Sequence, residues 1–114
     1  MTFAEIRQKE AQFVMQTYGR FPVAIEKGHG ATLYDFDGRE YIDFASGIGV
    51  ASLGAADPEW VAAVSGQAAL LSHVSNLYYT GPMIRAAELL SSLSGMDKVF
   101  FANSGAEANE GAIK

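Results

Sequence analysis

Lys98-Val-Phe-Phe-Ala-Asn-Ser-Gly-Ala-Glu107 is the stretch on which the reading of this chain turns. Val99 to Ala102 is apolar at every position, and a strand without polar alternation belongs in the middle of a sheet covered on both faces. Ser104-Gly105-Ala106 then turns the backbone, through small residues, into a helix running toward Lys114. Strand, turn and helix together predict an α/β layer. The start of such a helix leaves backbone N–H groups without intrahelical partners, and its aligned peptide dipoles favour an anion such as a phosphate. Ser104 and Glu107 also have the spacing of a capping box, in which each side chain satisfies the other's backbone N–H. The turn therefore has two readings, helix cap and phosphate cradle.

A single strand makes no sheet, so the partners of Lys98–Ala102 are expected downstream of Lys114. Upstream, Thr80-Gly-Pro82 is a helix start, followed by Ile84, Ala87, Leu90 and Leu93 at helical spacing and a stop near Gly95. Asp57-Pro58-Glu59 opens another helix, with Asp57 as N-cap and Pro58 at the first helical position; its apolar face is Trp60, Val61, Val64, Ala68 and Leu71. Between Val23 and Phe44 the pattern turns β-like. Ala31-Thr-Leu-Tyr-Asp-Phe36 and Glu40-Tyr-Ile-Asp-Phe44 flank Asp37-Gly38, a pair suited to the positive φ angles of a tight hairpin turn. Phe3, Ile6, Phe13 and Val14 predict an amphipathic first helix reaching Tyr18-Gly19.

Eight basic and thirteen acidic residues give a formal charge of −5. No basic run exists to track a phosphate backbone, so a nucleic-acid partner is not expected. The chain has no cysteine, which fits a reducing compartment and excludes thiolate chemistry. Its first ten residues mix charges with apolar side chains, unlike a signal peptide, and no apolar run approaches the roughly 20 residues of a membrane span. The expected location is the cytoplasm.

Gly47-Ile-Gly-Val-Ala-Ser52 begins like a dinucleotide fingerprint but has Ser52 where the third glycine belongs, so it reads as a packing or substrate-lining loop. Glycines as dense as Gly47, Gly49 and Gly54 suit irregular backbone passing close to something else. Tyr78 and Tyr79 lie in a polar loop with Asn76, a setting that serves packing or a ligand wall. His29 and His73 have no neighbours at metal-ligand spacing and read as structural. Lys9, Lys27, Lys98 and Lys114 all fall in polar or terminal settings, whereas an amine used for covalent catalysis needs a desolvated pocket.

Four ordered motifs carry a resemblance: Tyr18-Gly-Arg-Phe-Pro-Val23, Asp35-Phe-Asp-Gly-Arg-Glu-Tyr-Ile-Asp-Phe44, His73-Val-Ser-Asn-Leu-Tyr-Tyr-Thr80 and Phe100-Phe-Ala-Asn-Ser-Gly-Ala-Glu-Ala-Asn-Glu110. Over nearly its whole length the chain resembles the amino-terminal part of class III pyridoxal-phosphate aminotransferases, most of all their acetylornithine branch. The resemblance implies a fold-type-I α/β enzyme. Residues 1–78 would supply a small-domain helix and β-hairpin, and residues 79–114 the first helix-strand-helix of the large domain. It implies pyridoxal 5'-phosphate as cofactor, a homodimer, and amino transfer between N-acetylornithine, or a related ω-amino acid, and 2-oxoglutarate in arginine biosynthesis.

By position, Ser104, Gly105 and Ala106 match the family's cofactor-phosphate turn, Tyr18 an aromatic residue near the amino-acid substrate, and Ile48 a substrate-side wall. Tyr78 and Tyr79 match a segment near the dimer interface. Gly54-Ala-Ala-Asp-Pro58 departs from the family's usual Gly-His-x-His-Pro, with a local packing change as the expected result. The family's cofactor-bonding lysine, its aspartate on the pyridine nitrogen and its carboxylate-holding arginine all lie beyond the matched region. The resemblance therefore implies a fragment that is inactive alone, the alternative being a non-catalytic dimerising or phosphate-binding piece.

Overall fold

A computed structural model describes residues 1–114, which fold as two compact units, Met1–Ser72 and His73–Lys114. The first opens with α1, Phe3–Phe13. Thr2 and Glu5 start it by a reciprocal capping box: Thr2 N–H donates to Glu5 Oε2 at 2.8 Å and Glu5 N–H to Thr2 Oγ1 at 3.2 Å. The helix is shorter than its apolar pattern predicts, because Val14 is already extended. Phe3 and Ile6 are half-buried on one face, but the next place on that stripe belongs to Glu10, and Phe13 is exposed.

Three antiparallel strands follow in the order β1-β2-β3: β1 Ile25–His29, β2 Thr32–Asp35 and β3 Glu40–Ile42. The hairpin expected around Asp37-Gly38 joins β2 to β3, with Leu33 opposite Tyr41 and Gly38 at φ 81°. Asp35 ties this turn together. Its Oδ1 accepts the N–H groups of Asp37 and Arg39, each at 2.9 Å, and its Oδ2 accepts the Tyr41 hydroxyl at 2.8 Å. β1 was not distinguished by sequence pattern, since a bulge between Ile25 and Lys27 breaks its alternation.

A one-turn helix, α2, spans Ser46–Gly49, and α3, Pro58–Leu70, closes the unit. Asp57 caps α3 as its sequence predicts, accepting the Trp60 N–H at 2.8 Å. The segment between them is stitched to the end of β1 by a Gly30–Ala55 bridge, with N–H···O distances of 2.9 and 2.8 Å.

The second unit holds two helices, α4 Gly81–Ser94 and α5 Gly105–Ile113. Gly95 ends α4 in the left-handed conformation at φ 73°, and its N–H reaches the Ser91 carbonyl. One expectation is corrected: Lys98–Ala102 forms no strand. Its backbone makes no hydrogen bond, because His73–Lys114 contains no other extended segment to pair with it. Phe100 and Phe101 are 73% and 44% exposed. No apolar residue of the chain is fully buried; Asp35, at 8% exposure, is the one buried residue.

Candidate functional site

At the Ser104 turn the helix-cap reading is directly visible. Ser104 Oγ accepts the Glu107 N–H at 3.2 Å and the Ser104 carbonyl accepts Ala108 N–H at 3.0 Å, so the serine is a working N-cap. The box is displaced by one residue, since Glu107 Oε2 takes the N–H of Asn103 at 2.7 Å rather than that of Ser104. The N–H groups of Gly105 and Ala106 have no partner within the chain. A Cβ placed at Gly105 would meet no atom within 4 Å, so no other part of the chain crowds the turn at that residue.

Two free N–H groups at the start of a nine-residue helix, flanked by a residue with no side chain, suit phosphate oxygens. The fit is that of a partial cradle. Glu107 places a carboxylate beside the turn, and Lys114 is paired with Glu110 at 2.6 Å toward the other end of α5. The turn supplies hydrogen-bond donors, and a dianionic phosphate also needs cationic groups to offset Glu107.

Ile48 stands in the most strained backbone of the chain. Ser46, Gly47, Ile48 and Gly49 have consecutive φ values of 46°, 60°, 63° and 79°, so α2 is a single left-handed turn. A left-handed conformation costs a side-chain-bearing residue about 1–2 kcal/mol, and a β-branched residue there is a true outlier. Asp43 fixes the entry to this turn: its Oδ1 accepts the N–H groups of Ala45 at 2.9 Å and Ser46 at 2.8 Å. The result is an isoleucine side chain 96% exposed on a backbone-strained turn. Glycine density hinted at irregular backbone here, but not at its hand.

Tyr18 lies after α1 and lines an open cleft of about 370 Å³ with Phe3, Ile6, Glu10, Arg20 and Phe21. That volume is within the range of small-molecule sites. Tyr18 and Ile48 belong to the first unit and the Ser104 turn to the second. Tyr78 and Tyr79, 66% and 96% exposed, belong to the second. All four lysines are exposed, none in a desolvated pocket.

Residues 13–114 match the model of the aminotransferase class-III family. The chain belongs to that family. Among curated relatives, the acetylornithine aminotransferase of Haemophilus ducreyi is 56% identical over 114 residues, which is 100% of this chain and 29% of the relative. Among solved structures, acetylornithine aminotransferase from Elizabethkingia anophelis superposes with a TM-score of 0.95 at 32% identity, over 100% of this chain and 30% of that one. The taurine:2-oxoglutarate aminotransferase of Bifidobacterium kashiwanohense, solved in complex with PLP and glutamate, gives a TM-score of 0.88 at 31% identity, over 99% and 27%. The architecture is that of PLP-dependent aminotransferases, and the chain spans about three tenths of the length of these class-III relatives.

Proposed function

We propose that this chain is the amino-terminal part of an aminotransferase moving an amino group between N-acetylornithine, or a related ω-amino acid, and 2-oxoglutarate. The observation that carries the reading is 56% identity to an acetylornithine aminotransferase across every residue of the chain. Residues 1–78 belong to the small-domain segment and 79–114 to the start of the large domain. The working form is a cytoplasmic homodimer serving arginine biosynthesis.

When bound, pyridoxal 5'-phosphate supplies the electron sink that makes amine chemistry accessible. Gly105 and Ala106 would hold its phosphate through their free N–H groups, while Ser104 keeps those donors pointing outward by capping α5. Tyr18 and Ile48 would contact the amino-acid substrate, Tyr18 from its cleft and Ile48 from the left-handed turn. All four lysines are exposed, so the 114 residues by themselves offer no desolvated amine for covalent attachment of the cofactor.

The test is direct. Glutamate formation from N-acetylornithine and 2-oxoglutarate is expected from the intact enzyme carrying this chain, and none from residues 1–114 alone. An intact protein that makes no glutamate with any ω-amino donor overturns the assignment, and turnover by the isolated chain overturns the account of its lysines.

A further inference from the structure

We infer that Glu10 is a positioning residue for Tyr18, acting as a clasp that holds the Val14–Arg20 segment against α1 and so sets where the tyrosine ring stands in the substrate site. The inference rests on the reading of Tyr18 as a substrate contact. It begins with an anomaly in α1. Phe3, Ile6 and Glu10 are the only helix residues that are not fully exposed, and they follow the i, i+3, i+7 spacing of a helix's sheltered stripe. Amphipathic logic calls for an apolar residue at the third place. An acid there makes sense only if its groups are used.

Its carboxylate is used: Oε1 accepts Arg20 Nη1 at 2.5 Å, while the backbone carbonyl at the same position, which any residue would supply, accepts the Val14 N–H at 2.9 Å and Gln16 Nε2 at 3.4 Å. Gln16 Nε2 also donates to the Val14 carbonyl at 3.0 Å. Residues on both sides of Tyr18 are thus tied to the same helical position, whereas Tyr18 itself makes no hydrogen bond. With no regular structure between Val14 and Arg20, the placement of the ring is delegated to these ties. Stability alone does not account for the arrangement: with the Arg20 side chain 49% and the Glu10 side chain 22% exposed, such a pair adds little to folding. What it fixes is geometry, which for a substrate contact is read in KM.

The experiment places Glu10→Ala, Tyr18→Ala and the double variant in the intact, cofactor-loaded enzyme, with Glu10→Gln as the shape-preserving form should the alanine disturb folding. Glu10→Ala is expected to raise KM for the amino donor about fivefold with kcat little changed. In the double variant the Glu10 effect should vanish, because it acts through Tyr18. Amide exchange across Met15–Gly19 should quicken about tenfold on losing Glu10, a readout independent of turnover. The reciprocal pair Glu10→Arg with Arg20→Glu should restore both measurements. Unchanged exchange, or Glu10 and Tyr18 factors that multiply to within about twofold, overturns the inference. A Tyr18→Ala enzyme with ordinary KM overturns the substrate role of Tyr18 and the inference with it, while wild-type enzyme without transaminase activity strikes the functional assignment instead.

Discussion

The two units of this chain solve the same problem differently. In Met1–Ser72 the backbone finds its partners locally: a capping box starts α1, three strands pair in sequence order, and Asp35 satisfies its own turn. In His73–Lys114 the two helices are locally capped or stopped, yet the apolar run between them, Val99–Ala102, pairs with nothing. Local hydrogen bonding is short-range and written in adjacent residues, whereas a strand exists only with a neighbour. In the second unit an apolar run with no extended partner beside it stays irregular.

The sharpest way to break this contrast is Phe101→Ala. At 44% exposure the side chain is little more than half sheltered in residues 1–114, so the isolated chain, followed by its helical signal, should lose about 1 kcal/mol. In the intact enzyme, where the proposed sheet covers this run, the same change should cost about 3 kcal/mol, read from denaturant midpoints. Equal losses in both would mean that the run already has its full packing here.

A second, smaller effect separates a glycine required by the first unit from one proposed to face a ligand in the second. Gly54 has φ 85°, and a Cβ there would stand 2.9 Å from the Cα and carbonyl oxygen of Gly30. Gly54→Ala should therefore cost about 2 kcal/mol and expose the Gly30 and Ala55 amides to exchange. Gly105 is unstrained and open, so Gly105→Ala should leave stability within about 0.5 kcal/mol. Its penalty should appear in the intact enzyme as cofactor affinity weakened about tenfold, because the new methyl is added beside the proposed phosphate donors.

How much of this was legible in the sequence follows the same division. Asp57-Pro58, Asp37-Gly38, Gly95 and Ser104 act through neighbours within four residues, and each does in the structure what its spacing predicts. Thr2-x-x-Glu5 carried an equally plain capping signal that the apolar pattern overshadowed. The end of α1 was misjudged because Phe13 and Val14 continue the apolar pattern, while the stripe had already passed to Glu10. β1 hid behind its bulge. The left-handed hand of Ser46–Gly49 was out of reach, since a positive φ at Ile48 contradicts local preference and depends on Asp43 holding the turn. Family motifs pointed to Ser104, Tyr18 and Ile48 together, although no local rule links residues so far apart in sequence.

The smallest effect tests whether the first unit's order is as local as the comparison claims. Burial pushes the Asp35 carboxyl upward, but the Tyr41 hydroxyl, the Arg39 and Asp37 N–H groups and the Arg39 charge outweigh it and hold it below the ordinary carboxylate value. Tyr41 is held above its ordinary value, chiefly by its hydrogen bond to Asp35, then by burial and by the Asp35 charge. A lowered carboxyl stabilises the fold above its unfolded value, about 3.9, and that contribution is lost as pH falls through the lowered folded value. A raised phenol stabilises it below about 10, and that contribution is lost as pH rises through the raised folded value. Protection of the β2–β3 amides should thus be flat through neutral pH and decline at both extremes. Asp35→Asn removes the charge and should bring the Tyr41 ring titration, followed by NMR, down toward that of an ordinary tyrosine while erasing the acid limb. These shifts should be the same in residues 1–114 and in the intact enzyme, because every group involved lies between Asp35 and Tyr41. A Tyr41 titration that differs between the two, or ignores Asp35→Asn, would show that this turn too depends on residues outside it.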